Sequence, residues 1–140
     1  MAARGLGKKY TGMNWCAPAT RLSIYVRDAL GCVYCRAGIE SGARLTLDHL
    51  VPVSHGGKNS PDNLCTACLT CNSSRGNRDW KVFAKAVAQY LDYDVTASAI
   101  IAYIQETVQR PLDRKAARDM IARRGNFSSA LQAVKEEAQQ

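Results

Sequence analysis

The residues with chemical potential in this chain lie close together between positions 32 and 78. Asp48 and His49 are adjacent and precede Leu50-Val51-Pro52; Asn63 follows Asp62 and precedes Leu64; Asn72 directly follows Cys71 and precedes Ser73-Ser74-Arg75-Gly76. A neutral imidazole has a reference pKa near 6.5, so His49 could take a proton from water near working pH. The Asp48 carboxylate and the Asn72 amide offer hard oxygen donors, which suit Mg²⁺ or Mn²⁺ better than a soft metal. Such a base and such a cation are what hydrolysis of a phosphodiester needs. The base activates water, and the cation stabilises charge on the phosphorus and leaving oxygens. Taken singly, an Asp-His pair is usually a surface pair and an Asn after a Cys is usually a helix cap. It is the ordered set that points to chemistry.

Two cysteine pairs bracket this set, Cys32-Val33-Tyr34-Cys35 and Cys68-Leu69-Thr70-Cys71. A two-residue gap lets both thiolates of a pair reach one ion, and two pairs complete a tetrahedral zinc site. The stretch between the pairs is longer than the 15–20 residues of a simple zinc ribbon and can hold a β-hairpin. Disulfides, a redox CxxC and buried thiols are the competing readings. The start of the chain has no apolar stretch of the secretory type, so a cytoplasmic protein is expected, where disulfides are rare. A redox CxxC normally lies in a βαβ unit, which the sequence does not suggest. Structural zinc on Cys32, Cys35, Cys68 and Cys71 is the expectation. Cys65 also forms a CxxC with Cys68 and competes as a ligand; Cys16 reads as a free thiol.

The elements that must position these groups are short. Residues 1–19 read as a basic, flexible arm. Thr20 can cap a helix to about Leu30, with Gly31 stopping it. A strand is expected from about Arg44 to His49, a turn-rich loop over Ser54–Pro61, and a second strand over Asn63–Thr66 that pairs back on the first. One helix is expected from near Cys71 to Leu91, weakened at Gly76, with Trp80, Phe83, Ala84, Val87, Tyr90 and Leu91 on one apolar face. On it, Asp79 reads as an exposed helix residue. Beyond a break at Asp92-Tyr93-Asp94, helices are expected from Ala97 to Gln109 under a Thr96 cap, and from Asp113 to Arg124, ended by Gly125. A last helix would be capped by Ser128 or Ser129.

The series CxxC, DH, GG, DN, CxxCN, RG resembles the HNH endonuclease family over roughly residues 21 to 82. The resemblance implies an α+β fold: a small ββα-metal, treble-clef-like core with zinc knuckles, preceded by one helix and followed by a helical C-terminal extension. It implies a nuclease domain over 20–91, with the arm at 1–19 and the extension at 92–140. It assigns His49 as general base, Asp48 and Asn72 as ligands of one catalytic Mg²⁺ or Mn²⁺, and Asn63 as the residue that holds the loop and orients the base. Asn72 stands where the family's name implies a third His. The position matching Cys65 is an apolar strand residue, which favours a buried thiol there. His55 sits in the glycine-rich loop with no assigned role.

Net charge is +7, from 19 Lys and Arg against 12 Asp and Glu, and favours an anionic partner, nucleic acid first. Lys8 and Lys9 in the arm, and Arg75 and Arg78 just after Asn72, are candidate phosphate contacts, since Arg grips phosphate bidentately. Arg114, Lys115 and Arg118 form a cluster that reads equally well as a DNA contact or a solvated face. No run is long enough to span a bilayer. The expectation is a metal-dependent endonuclease acting on double-stranded DNA, similar to free-standing proteins of phages and mobile elements and working in the bacterial or phage-infected cytoplasm. The alternative is a zinc-knuckle nucleic-acid-binding or DNA-packaging assembly protein without its own cleavage activity.

Overall fold

The computed structural model describes residues 15–91 and 94–139. Among these it is an α+β fold of six α-helices and one two-stranded antiparallel sheet. Helix α1 spans Pro18–Arg27, strand β1 Leu45–His49, strand β2 Leu64–Cys68, and helix α2 Leu69–Arg75. Helices α3 (Trp80–Tyr90), α4 (Ala97–Thr107), α5 (Arg114–Arg124) and α6 (Phe127–Ala138) follow. The β1-β2-α2 sequence is the ββα unit. No described helix is long and apolar enough to cross a membrane.

Several boundaries differ from the sequence reading, each for a local reason. α1 begins at Pro18, because proline is preset for the first helical turn. It ends at Arg27 rather than near Leu30: Ala29 and Leu30 take left-handed conformations, φ 60° and 56°, and turn the chain into the first cysteine pair. The single helix expected from Cys71 to Leu91 is two helices. Gly76 at φ 56°, ψ −128° leaves the helical region in a conformation suited to glycine. Asp79 then starts α3 afresh as its N-cap, accepting from the Lys81 and Val82 amides at 2.9 and 3.4 Å. Thr96 caps α4 by accepting from Ala99 N at 3.1 Å. The last helix is capped by Asn126, which accepts from Ser129 N, and not by Ser128 or Ser129.

The hairpin register pairs Asp48 with Cys65 and His49 with Leu64. The first cysteine pair is tied to it by Val33 N donating to Thr66 O at 2.9 Å. One core joins Val33, Tyr34, Cys65 and Ala67 to Phe83, Ala84 and Val87 of α3 and to Ile100 and Ile104 of α4. A second joins Ile24 and Tyr25 of α1 to Leu47 and Leu64 of the hairpin, with Phe127 and Leu131 of α6 packed against it. A third holds Leu22 of α1 against Ala117, Met120, Ala130 and Ala133. Helices after residue 94 therefore complete the cores that support the hairpin.

A buried ion pair locks this arrangement. Arg27 at the end of α1 pairs with Asp28 at 2.7 Å, both side chains almost fully buried. The guanidinium also donates to Pro61 O at 2.8 Å and to Leu64 O at 2.7 Å, and Asp28 accepts from Thr66 N at 2.7 Å. One pair thus holds the entry to β2 and its middle residue.

Candidate active site and metal centre

The Sγ atoms of Cys32, Cys35, Cys68 and Cys71 all lie within 4.8 Å of one another, and could hold a metal ion. Cys35 and Cys68 sulfurs are 3.8 Å apart, which matches the sulfur–sulfur edge of a tetrahedron with Zn–S bonds of about 2.3 Å. Backbone amides support the sulfurs: Cys35 N donates to Cys32 Sγ, Ala37 N to Cys35 Sγ and Cys71 N to Cys68 Sγ, at 3.4–3.5 Å. Thiol hydrogen bonds from Cys32 and Cys71 pull the Cys35 thiol down to about 2, and the bond to Cys35 pushes Cys32 up to about 12. Metal ligation needs deprotonated sulfurs, so a bound dication would hold these cysteines as thiolates. Cys65 is fully buried in β2, outside the four-sulfur set, and burial pushes its thiol well up. Cys16 is buried, with its thiol also raised by burial.

Asp48 lies on the inward face of β1 and is buried. Its Oδ2 accepts from the Tyr34 hydroxyl at 3.0 Å and from Arg75 Nη1 at 2.7 Å. Burial holds this carboxyl above its ordinary range, opposed by Arg75 and the Tyr34 hydrogen bond. Burial raises the Tyr34 phenol as well, so it remains a donor. The other carboxylate oxygen, Oδ1, takes no hydrogen bond among the described residues.

Asn72 reaches back from α2 to β1. Its Nδ2 donates to Thr46 Oγ1 at 2.8 Å and to Leu47 O at 3.3 Å. The Thr46 hydroxyl gives its own proton to Ala67 O at 2.8 Å, so it can only accept from Asn72. That fixes the amide with its nitrogen against the strand and its oxygen turned away. The donors left over by the protein among the described residues, Asp48 Oδ1 and Asn72 Oδ1, are hard oxygens, the donor type that Mg²⁺-like cations prefer.

His49 ends β1 and is half-buried. Its Nε2 is 2.7 Å from Asn59 Oδ1, and the Trp15 ring lies 4.8 Å away at 37°. Asn63 ties the loop: its Oδ1 accepts from Val51 N at 2.9 Å, and its Nδ2 donates to Val51 O at 3.0 Å and Lys58 O at 2.9 Å. His55 ends an exposed turn over Val53–His55.

Arg75 is placed differently from the phosphate-facing position expected of it. It is buried, pairs with Asp48, and donates to the carbonyls of His49, Leu50 and Arg78 at 2.7–2.8 Å. A side chain so fully engaged is a clamp between α2 and the end of β1. Arg78 is exposed, bends over the end of α2 to donate to Ser74 O and Arg75 O, and lies 5.0 Å from the Phe83 ring centre. Lys8 and Lys9 lie outside the described residues. Arg114, Lys115 and Arg118 are exposed on α5; Lys115 pairs with Asp119 at 2.9 Å and Arg114 Nε donates to Thr20 Oγ1 at 3.3 Å. An open groove of about 650 Å³ runs past Cys35, Cys68, Phe83 and Val87, away from His49.

The sequence reading missed Asn59, Tyr34 and the Arg27–Asp28 pair as participants. Asn59 had no signal beyond its place in a turn-rich loop. Tyr34 stood between two cysteines as spacer, where only the fold reveals what its hydroxyl reaches.

A β-hairpin and helix closed by four converging thiols define a zinc-knuckle ββα module. Residues 32–78 match the family model described as HNH endonuclease. That stretch contains the thiol cluster and all of Asp48, His49, Asn63 and Asn72, and it is similar to the HNH family over those residues. No curated protein and no solved structure matches the chain.

Proposed function

We propose that this protein is an endonuclease that hydrolyses phosphodiester bonds in double-stranded DNA with one Mg²⁺ or Mn²⁺ held by Asp48 and Asn72. The observation that carries this reading is the pair of oxygens, Asp48 Oδ1 and Asn72 Oδ1, left without protein partners among the described residues, on the strand and helix that also carry the His49 imidazole and the thiol cluster. The bound cation would supply charge stabilisation at the phosphate and at the departing oxygen. His49 takes the proton of the attacking water as the new P–O bond forms and the P–O3′ bond breaks. The products carry 5′-phosphate and 3′-hydroxyl ends, the latter protonated from solvent. Asp48 is held for its task by Tyr34 and Arg75, and Asn72 by Thr46. Zinc on the four cysteines keeps the module folded, since structural zinc supplies folding free energy directly. Reduced thiols suit a cytoplasmic setting.

Supercoiled plasmid incubated with the zinc-loaded protein should become nicked or linear when Mg²⁺ or Mn²⁺ is added. A mild chelator such as citrate should stop the reaction, renewed Mg²⁺ should restore it, and elemental analysis should find zinc retained throughout. Folded, zinc-loaded protein that cuts no DNA with either ion would contradict the reading and leave a binding module in its place.

A further inference from the structure

We propose that Asn59 is a positioning residue that fixes the tautomer of His49 and thereby selects Nδ1 as the nitrogen that meets water. The proposal rests on His49 acting as the base. An amide oxygen can only accept a hydrogen bond, so the 2.7 Å contact between Asn59 Oδ1 and His49 Nε2 places the ring proton on Nε2. Nδ1 then carries the lone pair, and it is there that this tautomer can take a proton. Trp15, 4.8 Å from the ring at 37°, bears on the imidazole from another direction.

The loop is built to deliver Asn59. Asn63 bonds both Val51, two residues past His49, and Lys58, the residue before Asn59. Its orientation is fixed, because Val51 N must donate and the two carbonyls must accept. Gly57 lies flush against the same strand end: a Cβ there would come within 1.7 Å of Val51 O, so no larger residue fits. Gly57 N also donates to Pro52 O at 2.9 Å. Asn59 itself is exposed and makes no other side-chain hydrogen bond among the described residues. It lends the fold little except this contact. Asn63 thus acts on the base indirectly, by seating the loop from which Asn59 reaches it.

The chain has two histidines, so a ¹⁵N spectrum of the zinc-loaded protein has two ring systems, and His49→Gln assigns them. The wild type should show His49 protonated on Nε2, with that proton visible because the hydrogen bond slows its exchange. Asn59→Ala should lose the signal and slow plasmid cleavage on the order of tenfold, less than the 10²–10⁴-fold of removing a general base. Asn59→Asp, which still accepts, should keep the signal. A His49 proton on Nδ1 in the wild type, or an Asn59→Ala protein with either an unchanged ring spectrum or an unchanged rate, would overturn the proposal. Full cleavage by His49→Ala would instead sink the reading beneath it, and the ring spectrum would still decide the hydrogen bond.

Discussion

Tyr34 links the thiol cluster to the candidate site around Asp48. Its chain neighbour Cys35 is one of the four clustered thiols, while its hydroxyl donates to Asp48 at 3.0 Å and its ring packs edge-on to Phe83 at 4.9 Å. Tyr34→Phe removes only the donor and leaves the packing. Groups that orient a metal ligand from behind typically contribute 10–100-fold to metal affinity. Mg²⁺ or Mn²⁺ binding by titration calorimetry should therefore weaken by about that factor, with zinc content unchanged. Unaltered affinity would mean that Arg75 alone orients Asp48. At this scale the sequence was informative about identity and poor about direction. Asp48, His49 and Asn72 stand out as candidates because their order and spacing are restrictive. Arg75 could not be placed, because nothing in Asn72-Ser73-Ser74-Arg75 tells whether the guanidinium turns to solvent or back onto the strand. Asn59 is one polar residue in a loop full of them.

Among the elements, the hairpin depends on a clamp supplied by α1. Arg27 and Asp28 are buried together and reach Pro61, Leu64 and Thr66. Removing one partner of such a pair leaves an uncompensated buried charge, which costs roughly 3–5 kcal/mol. Arg27→Ala should lower the free energy of urea unfolding by about that amount; a change within the scatter of surface substitutions would show that solvent reaches the pair. The richness in Leu, Val and Thr made the first strand legible to within a residue, and the second, expected as the segment that pairs back on it, lies within two residues of its place. The helix break was not, because Gly76 in an apolar-periodic stretch is compatible with a weak helix or with a stop. What decides is Asp79, whose carboxylate can cap a new helix only once the chain has turned at Gly76. Nor could the sequence reveal that Ala29 and Leu30 would take left-handed conformations, which tertiary packing imposes against local preference.

For the molecule as a whole, charge and packing were unequally readable. The net charge of +7 is plain in the sequence; that the C-terminal helices pack against α1 and the hairpin was not, since amphipathic faces do not name their partners. If α5 follows the DNA backbone, replacing Arg114, Lys115 and Arg118 with Ala should flatten the salt dependence of binding by about one unit of logarithmic slope for each phosphate the helix no longer neutralises. An unchanged slope would make that cluster a solvated face, and the Lys115–Asp119 pair already neutralises part of it. The claim on which everything else depends is that His49 is the base of a hydrolytic site. The most direct measurement is the single-turnover rate of plasmid cleavage by His49→Ala at saturating Mg²⁺, alongside its zinc content. A rate lower by about 10²–10⁴-fold with zinc and fold intact is expected; cleavage at the wild-type rate would contradict it.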